Sequence, residues 1–185
     1  MKKLFAMAVS LLTATSMFAQ PEAGTFTIQP SAGIAVATLS GDGTKAKVGF
    51  QGRVEGAYQI TDAFAVSLGL GCSQYGAKEE VTDTKANLAY ITVPVLANYY
   101  LIEGLAVKTG VEVGFKSSAE YKNGDNKADI DGVKSVIMTI PVGASYEYKN
   151  VVLDARYNIG VTKAFKWDDA KPSAFVVTLG YKFAL

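Results

Sequence analysis

Leu88-Ala89-Tyr90-Ile91-Thr92-Val93-Pro94-Val95-Leu96-Ala97-Asn98-Tyr99-Tyr100-Leu101 is long for a β-strand, apolar, and rich in β-branched and aromatic residues, with a proline at its middle. A partial copy follows. Thr92-Val93-Pro94-Val95, Ala97 and Tyr99 are matched by Thr139-Ile140-Pro141-Val142, Ala144 and Tyr146. Two strands with one pattern imply equivalent places in a repetitive sheet. Successive side chains of a strand point to opposite faces, so the rest of the chain can be sorted by period-two alternation.

That sorting predicts eight strands. The first, residues 25–39, puts Phe26, Ile28, Ala32, Ile34 and Val36 on one face. The second, 48–60, sets Val48, Phe50, Val54, Tyr58 and Ile60 against Gln51, Arg53, Glu55 and Gln59. The third, from residue 64, sets Phe64, Val66, Leu68, Leu70 and Cys72 against Ala65, Ser67, Gly69, Gly71 and Ser73. The opening stretch is the fourth. The fifth, from residue 105, sets Leu105, Val107, Val111, Val113 and Phe115 against Lys108, Gly110, Glu112 and Gly114. The sixth, 135–148, carries Val136, Met138, Ile140, Val142, Ala144, Tyr146 and Tyr148 on one side. The seventh, 151–161, sets Val151, Leu153, Ala155, Tyr157, Ile159 and Val161 against Asp154, Arg156 and Asn158. The eighth, 174–185, sets Phe175, Val177, Leu179, Tyr181, Phe183 and Leu185 against Thr178, Gly180 and Lys182.

Connection lengths alternate as well. Turns after strands two, four and six are short, at Thr61-Asp62-Ala63, Ile102-Glu103-Gly104 and Lys149-Asn150; the others, 40–47, 76–86, 117–134 and 164–173, are long and polar. Short turns at one end and long loops at the other are the pattern of outer-membrane barrels. An even strand count lets the sheet close up-and-down. The expected fold is all-β: an eight-stranded antiparallel up-and-down transmembrane β-barrel after a cleaved signal peptide.

The signal peptide is read at residues 1–19, with the barrel domain over 20–185. Met1-Lys2-Lys3 is basic, 4–18 is apolar, and Ala19 precedes Gln20. That run is too short to cross a bilayer as a helix. The lone cysteine, Cys72, rules out an intrachain disulfide framework and reads as a small apolar strand residue. Charge is nearly balanced, with 18 basic and 17 acidic residues, so nothing points to nucleic acid.

Alternation alone does not separate a membrane barrel from a soluble periplasmic barrel that binds an apolar ligand. The bulk of the apolar faces does. Phe, Tyr, Ile, Leu and Val on nearly every strand are too large for an eight-stranded lumen, whereas Gly, Ala and Ser opposite them suit one. The aromatics also gather at strand ends. Phe26, Tyr58, Phe64, Tyr99, Tyr146, Tyr148, Tyr181 and Phe183 fall near the short turns, Phe50, Phe115 and Phe175 near the loops, and Tyr157 alone reads as mid-strand. Two aromatic girdles are expected at bilayer interfaces, with outer-membrane lipid as the partner.

The inward face then carries Arg53, Lys108, Arg156 and Lys182 against Glu55, Glu112, Glu147 and Asp154, four charges of each sign. Isolated ions in such a space are costly, so the set is expected to pair and plug the lumen. The Lys149-Asn150 turn puts Gly143 opposite Arg156 and Ser145 opposite Asp154, with Glu147 diagonal to it. Arg53 and Glu55 face Gly71 and Gly69. Pro94 and Pro141 have inward parity, and each is expected to mark a bend or bulge, because proline removes a ladder bond.

Catalytic chemistry is not visible. The chain has no histidine, which removes Ser-His-Asp catalysis and histidine-bearing metal sites. Gly41-Asp42-Gly43-Thr44-Lys45 lacks the spacing of a phosphate loop, and Asp125, Asp129, Asp131 and Gly132 lack the remaining ligands of a calcium loop. No cofactor is expected.

Residues 90–100 resemble the strand that marks the PorT-like family of outer-membrane β-barrels of Bacteroidetes-type, Gram-negative bacteria, and Val152-Leu153-Asp154-Ala155-Arg156-Tyr157-Asn158-Ile159-Gly160-Val161-Thr162 is similar to its penultimate strand. The resemblance implies an eight-stranded barrel in the outer membrane and carries no catalytic residues. Tyr181-Lys182-Phe183-Ala184-Leu185 resembles the terminal strand read by the barrel-assembly machinery, with Leu185 where Phe is commoner. The functional expectation is a non-enzymatic barrel of the cell envelope presenting four extracellular loops to a ligand or protein. A narrow, porin-like pore or a secretion-associated barrel is the alternative.

Overall fold

The computed structural model describes residues 22–39, 44–79, 85–123, 126–129, 133–163 and 171–185. The expected signal peptide, and Gly41, Asp42, Gly43, Asp125, Asp131 and Gly132 of the loops, lie outside them.

Ten strands run in chain order: β1 Phe26–Leu39, β2 Thr44–Thr61, β3 Phe64–Glu79, β4 Lys85–Ile102, β5 Leu105–Asn123, β6 Asn126–Asp129, β7 Val136–Tyr148, β8 Val151–Gly160, β9 Pro172–Tyr181 and β10 Phe183–Ala184. Each barrel strand pairs antiparallel with the next, and both β9 and β10 return to β1. The result is a closed eight-stranded barrel, with β9 and β10 as two pieces of the eighth strand. β6 is a short strand folded back on the end of β5.

Alternation sorts the side chains as a closed sheet requires. Ile34, Val54, Leu68, Leu70, Val95, Val111, Val142, Leu153 and Leu179 point outward and are exposed. Gln51, Arg53, Ser67, Thr92, Asn98, Glu112, Asp154 and Thr178 point inward and are buried. Apolar outside and polar inside is the inverse of a soluble barrel and the arrangement of one immersed in lipid. The short turns need local backbone freedom. Gly104 has φ 78°, and a Cβ there would lie 2.5 Å from the Glu147 carbonyl oxygen. That carbonyl belongs to the residue whose amide donates to the Gly104 carbonyl at 2.7 Å, so the turn and the β5–β7 ladder share one hydrogen-bonded corner.

Three expectations need correction. The loops are shorter than read, because β2, β3, β4 and β5 run on into them and β6 extends the sheet further. These extensions carry few large apolar residues, so they give no period-two hydrophobic signal. Neither Pro94 nor Pro141 sits at a register shift. The β3–β4 ladder steps from Leu68 opposite Val95 to Gly71 opposite Thr92 in unchanged register. The β5–β7 ladder likewise steps from Thr109 opposite Val142 to Glu112 opposite Thr139. Each proline opens the ladder locally without slipping it. The shifts fall elsewhere, between Ala46 and Gln51, Gln59 and Thr61, Ala89 and Tyr90, and Tyr100 and Ile102.

The eighth strand breaks at Lys182. Its amide donates to the Asn150 carbonyl at 2.8 Å, and its carbonyl accepts from the Asn150 side chain at 3.0 Å. Pro30, on the facing stretch of β1, has no amide to offer. The closing ladder therefore jumps from Ile28 opposite Phe183 to Ser31 opposite Gly180.

Candidate functional site

The inward charges gather in the lumen in three groups. Arg156, on β8, lies at the centre of the first, its Nε 2.6 Å from Asp154 Oδ1 and its NH2 3.4 Å from Glu55 Oε2. Lys108 Nζ reaches Asp154 Oδ2 at 2.9 Å, so Asp154 is held from two sides. Arg53 approaches Glu112 at 3.6 Å, and Asn158 donates to the other Glu112 oxygen at 3.2 Å. Towards the turns, Lys182 pairs with Glu147 and donates to the Tyr100 hydroxyl at 3.3 Å. All eight expected charges are buried, Asp154 at 0% and Arg156 at 1% exposure. Removing them from water is expensive; opposite charges at these distances offset the cost.

The sheet register makes room for the long side chains. Gly71 and Gly69 stand opposite Arg53 and Glu55. Gly143 stands between Lys108 on one side and Arg156 on the other. A Cβ at Gly143 would fall 2.2 Å from the Ala155 carbonyl oxygen and 2.6 Å from Arg156 Cγ. Gly143→Val is therefore expected to destabilise the barrel by about 1–3 kcal/mol through overpacking. Urea unfolding in lipid vesicles would measure it, and an unchanged midpoint would contradict the packing described.

Three features of the lumen escaped the sequence reading. Tyr100 joins the Lys182–Glu147 pair; its inward parity on β4 was the available signal. Asn98 donates to Ser67 Oγ at 3.2 Å. The lumen is also not lined by small and charged residues alone. Leu88, Tyr90, Leu96, Ile137, Val152 and Val176 are buried inside it. A Cβ at Gly114 would meet both Ile137 and Tyr90, which places those two side chains together above the charges. Below the charges, Gln29, Asn98, Tyr100, Lys108 and Lys182 border a polar cavity of about 20 Å³, room for roughly one water.

The aromatic residues occupy two levels on the outer surface. Near the turns, Phe26 stands opposite Tyr58 and Phe64 opposite Tyr99. Tyr148 and Tyr181 both flank Val151, Tyr146 flanks Leu153, and the Tyr181 and Phe183 rings lie 4.8 Å apart. Near the loops, Phe50 stands opposite Ile34, and Phe115 between Ile91 and Val136. Tyr157 is not isolated at mid-strand: it is the direct partner of Phe175, so the two share one level. Cys72 is a free, outward-facing cysteine among apolar neighbours.

Comparison with solved structures finds the same architecture. Neisserial surface protein A aligns with TM-score 0.57 at 20% identity, covering 85% of this chain and 97% of that one. Ail, the attachment invasion locus protein of Yersinia pestis, aligns at 0.54 and 19%, covering 87% and 99%. OprG from Pseudomonas aeruginosa aligns at 0.52 and 15%, covering 91% and 99%. At these identities the likeness is one of fold. No curated protein matches the sequence. The model of the outer membrane protein beta-barrel domain matches residues 18–166. The chain belongs to that family and is an integral outer-membrane β-barrel protein.

Proposed function

We propose that the protein is a closed, non-enzymatic barrel whose working surface is its loop end. The observation that carries this reading is the filled lumen. Paired charges cross it, Tyr90 and Ile137 pack above them, and the polar cavity below has room for roughly one water. A path for solutes needs a continuous aqueous gap, and side chains occupy the space a narrow pore would use. Aromatic residues towards both ends of the strands support girdles at the two bilayer interfaces, with lipid around the strands between them.

Residues 1–19 serve in this reading as a cleaved export signal, leaving 20–185 as the barrel. The strand at 90–100 supports a place among PorT-like barrels of Gram-negative bacteria, and the terminal strand ending at Leu185 is what the barrel-assembly machinery would engage. An extracellular ligand or protein would meet the loops. Purified protein in planar bilayers is expected to show no conductance above background. Discrete, reproducible channel openings would overturn the closed barrel in favour of a narrow pore.

A further inference from the structure

The outer face of the barrel carries a trough of about 920 Å³. One rung of the sheet forms its floor. The register sets Leu179 opposite Ala32, Ala32 opposite Gly52, Gly52 opposite Cys72, and Cys72 opposite Ile91. Large residues end this rung, and three small ones fill its middle. Pro30, Val54 and Leu70 wall the trough on the turn side. On the loop side the Phe50 ring leans over Gly52, where a Cβ would lie 3.2 Å from its edge.

The rung does not run level with the membrane. Past Leu179 it continues to Leu153 and Tyr146, at the turn-end aromatic level, and past Ile91 to Phe115, at the loop-end level. Strand tilt in a closed barrel produces this climb. The trough therefore crosses the lipid-facing surface obliquely. From Val151 on β8 to Ile91 on β4 it spans β9, β1, β2 and β3, a length of about 24 Å. Phe50 and Val54 stand about 13 Å apart along the β2 backbone, and their side chains narrow that gap to about the width of one hydrocarbon chain. The trough also crosses the seam, with Leu179 and Tyr181 from β9 and Pro30 and Ala32 from β1.

We infer that the trough seats one acyl chain of a phospholipid whose head lies at the turn-end interface. The trough is continuous with the lipid-covered face, and in hydrocarbon an unfilled depression loses its dispersion contacts. No charge opposes a chain there: Arg53 contributes to the floor, but its side chain runs into the lumen to Glu112. Tyr181 supplies the one side-chain hydroxyl on the outward walls, and it stands at the turn-end aromatic level, where head groups begin. Phe50 closes the loop side, so the chain enters beside Tyr181 and runs towards Cys72. A second barrel fits less well. Two convex surfaces meet along a narrow line, and no hydrophobic gain drives proteins together in lipid. A seated chain packs against both closing strands where Pro30 brings no amide to the ladder.

The test places the full barrel in phospholipid nanodiscs doped with phosphatidylethanolamine that carries a diazirine on one chain, either near the ester or near the chain end. After photolysis, the labelled residues are mapped by peptide mass spectrometry. The near-ester probe is expected on Leu179 and Tyr181, and the chain-end probe on Gly52, Cys72 and Ile91. Labelling there should exceed that of Val111 and Val142, exposed on β5 and β7, by about fivefold, the bias that a preference of about 1 kcal/mol produces. The double variant Ala32→Leu, Cys72→Leu fills the floor and should lose the excess. Ala97→Leu, at a small position on β4 between Val66 and Thr109, should keep it. Heat-modifiable gel migration confirms that the variants are folded. Even labelling around the barrel, or an excess that survives in the double variant, overturns the inference. The two probes appearing in reverse order overturn entry from the turn end. Cys72–Cys72 disulfide dimers that form in the nanodiscs and abolish the excess put a second copy in the trough and overturn the lipid.

Discussion

Arg156→Met is expected to destabilise the folded barrel by about 3–5 kcal/mol, the cost of leaving buried carboxylates without their cation. Methionine keeps much of the volume, so the loss reports charge rather than a cavity. Asp154 retains Lys108 at 2.9 Å, but Glu55 loses its 3.4 Å partner. The nearest cation on its own strand, Arg53, is engaged with Glu112 at 3.6 Å. Adding Glu55→Gln to Arg156→Met should recover part of the loss, because the second change removes the charge that the first stranded. Equilibrium unfolding of both variants in vesicles would read this. Strict additivity would mean that the two residues do not act as a pair.

Leu68→Arg should cost about 2–4 kcal/mol if the outer surface lies in hydrocarbon. Leu68 is 59% exposed and faces Val95 across the β3–β4 ladder. It sits midway between Phe64, at the turn-end aromatic level, and Cys72, opposite Ile91 near the loop-end level. An arginine there is as far from either interface as this strand allows. On a water-facing sheet the same change would be close to neutral. Unfolding in vesicles measures the difference, and a cost well under 1 kcal/mol would argue against lipid at that position. A cost that shrinks for the same change nearer the turns, at Val66, would show the depth dependence a bilayer imposes.

The barrel was legible because lipid and lumen impose opposite demands on adjacent residues. Val66, Leu68 and Leu70 alternate with Ser67, Gly69 and Gly71, and no helix period fits that run. Turn chemistry was equally plain, down to Lys149, whose φ of 57° marks the tight corner at Lys149-Asn150. What alternation does not carry is distance across the barrel. The inward parity of Arg53 and Glu112 follows from their own strands, but their meeting depends on strand stagger and closure. The same holds for Lys108 and Asp154, two strands apart with Gly143 between them. Beyond the membrane the signal fades for a physical reason. Residues 117–123 and 126–129 carry few large apolar side chains, so no alternation marks a face, and a paired strand there reads as a loop. Pro94 and Pro141 misled in another way. A missing amide costs one ladder bond, and the flanking register in β3–β4 and β5–β7 is firm enough to hold alignment across the gap.

The break at Lys182 bears on the order of events in assembly. Every other barrel pairing joins strands that are neighbours in sequence, whereas the seam joins β1 to the chain's far end. Loop-closure entropy makes that contact the slowest to find. It is also interrupted, since Pro30 offers no amide where the ladder passes between Phe183 and Gly180. The last pairing to form should then be the first to open. Amides of Ile28 and Ala32, which face the seam, are expected to exchange with solvent deuterium faster than those of Thr92 and Leu96 in the β4 interior, and the barrel to zip shut from the middle of the chain outward.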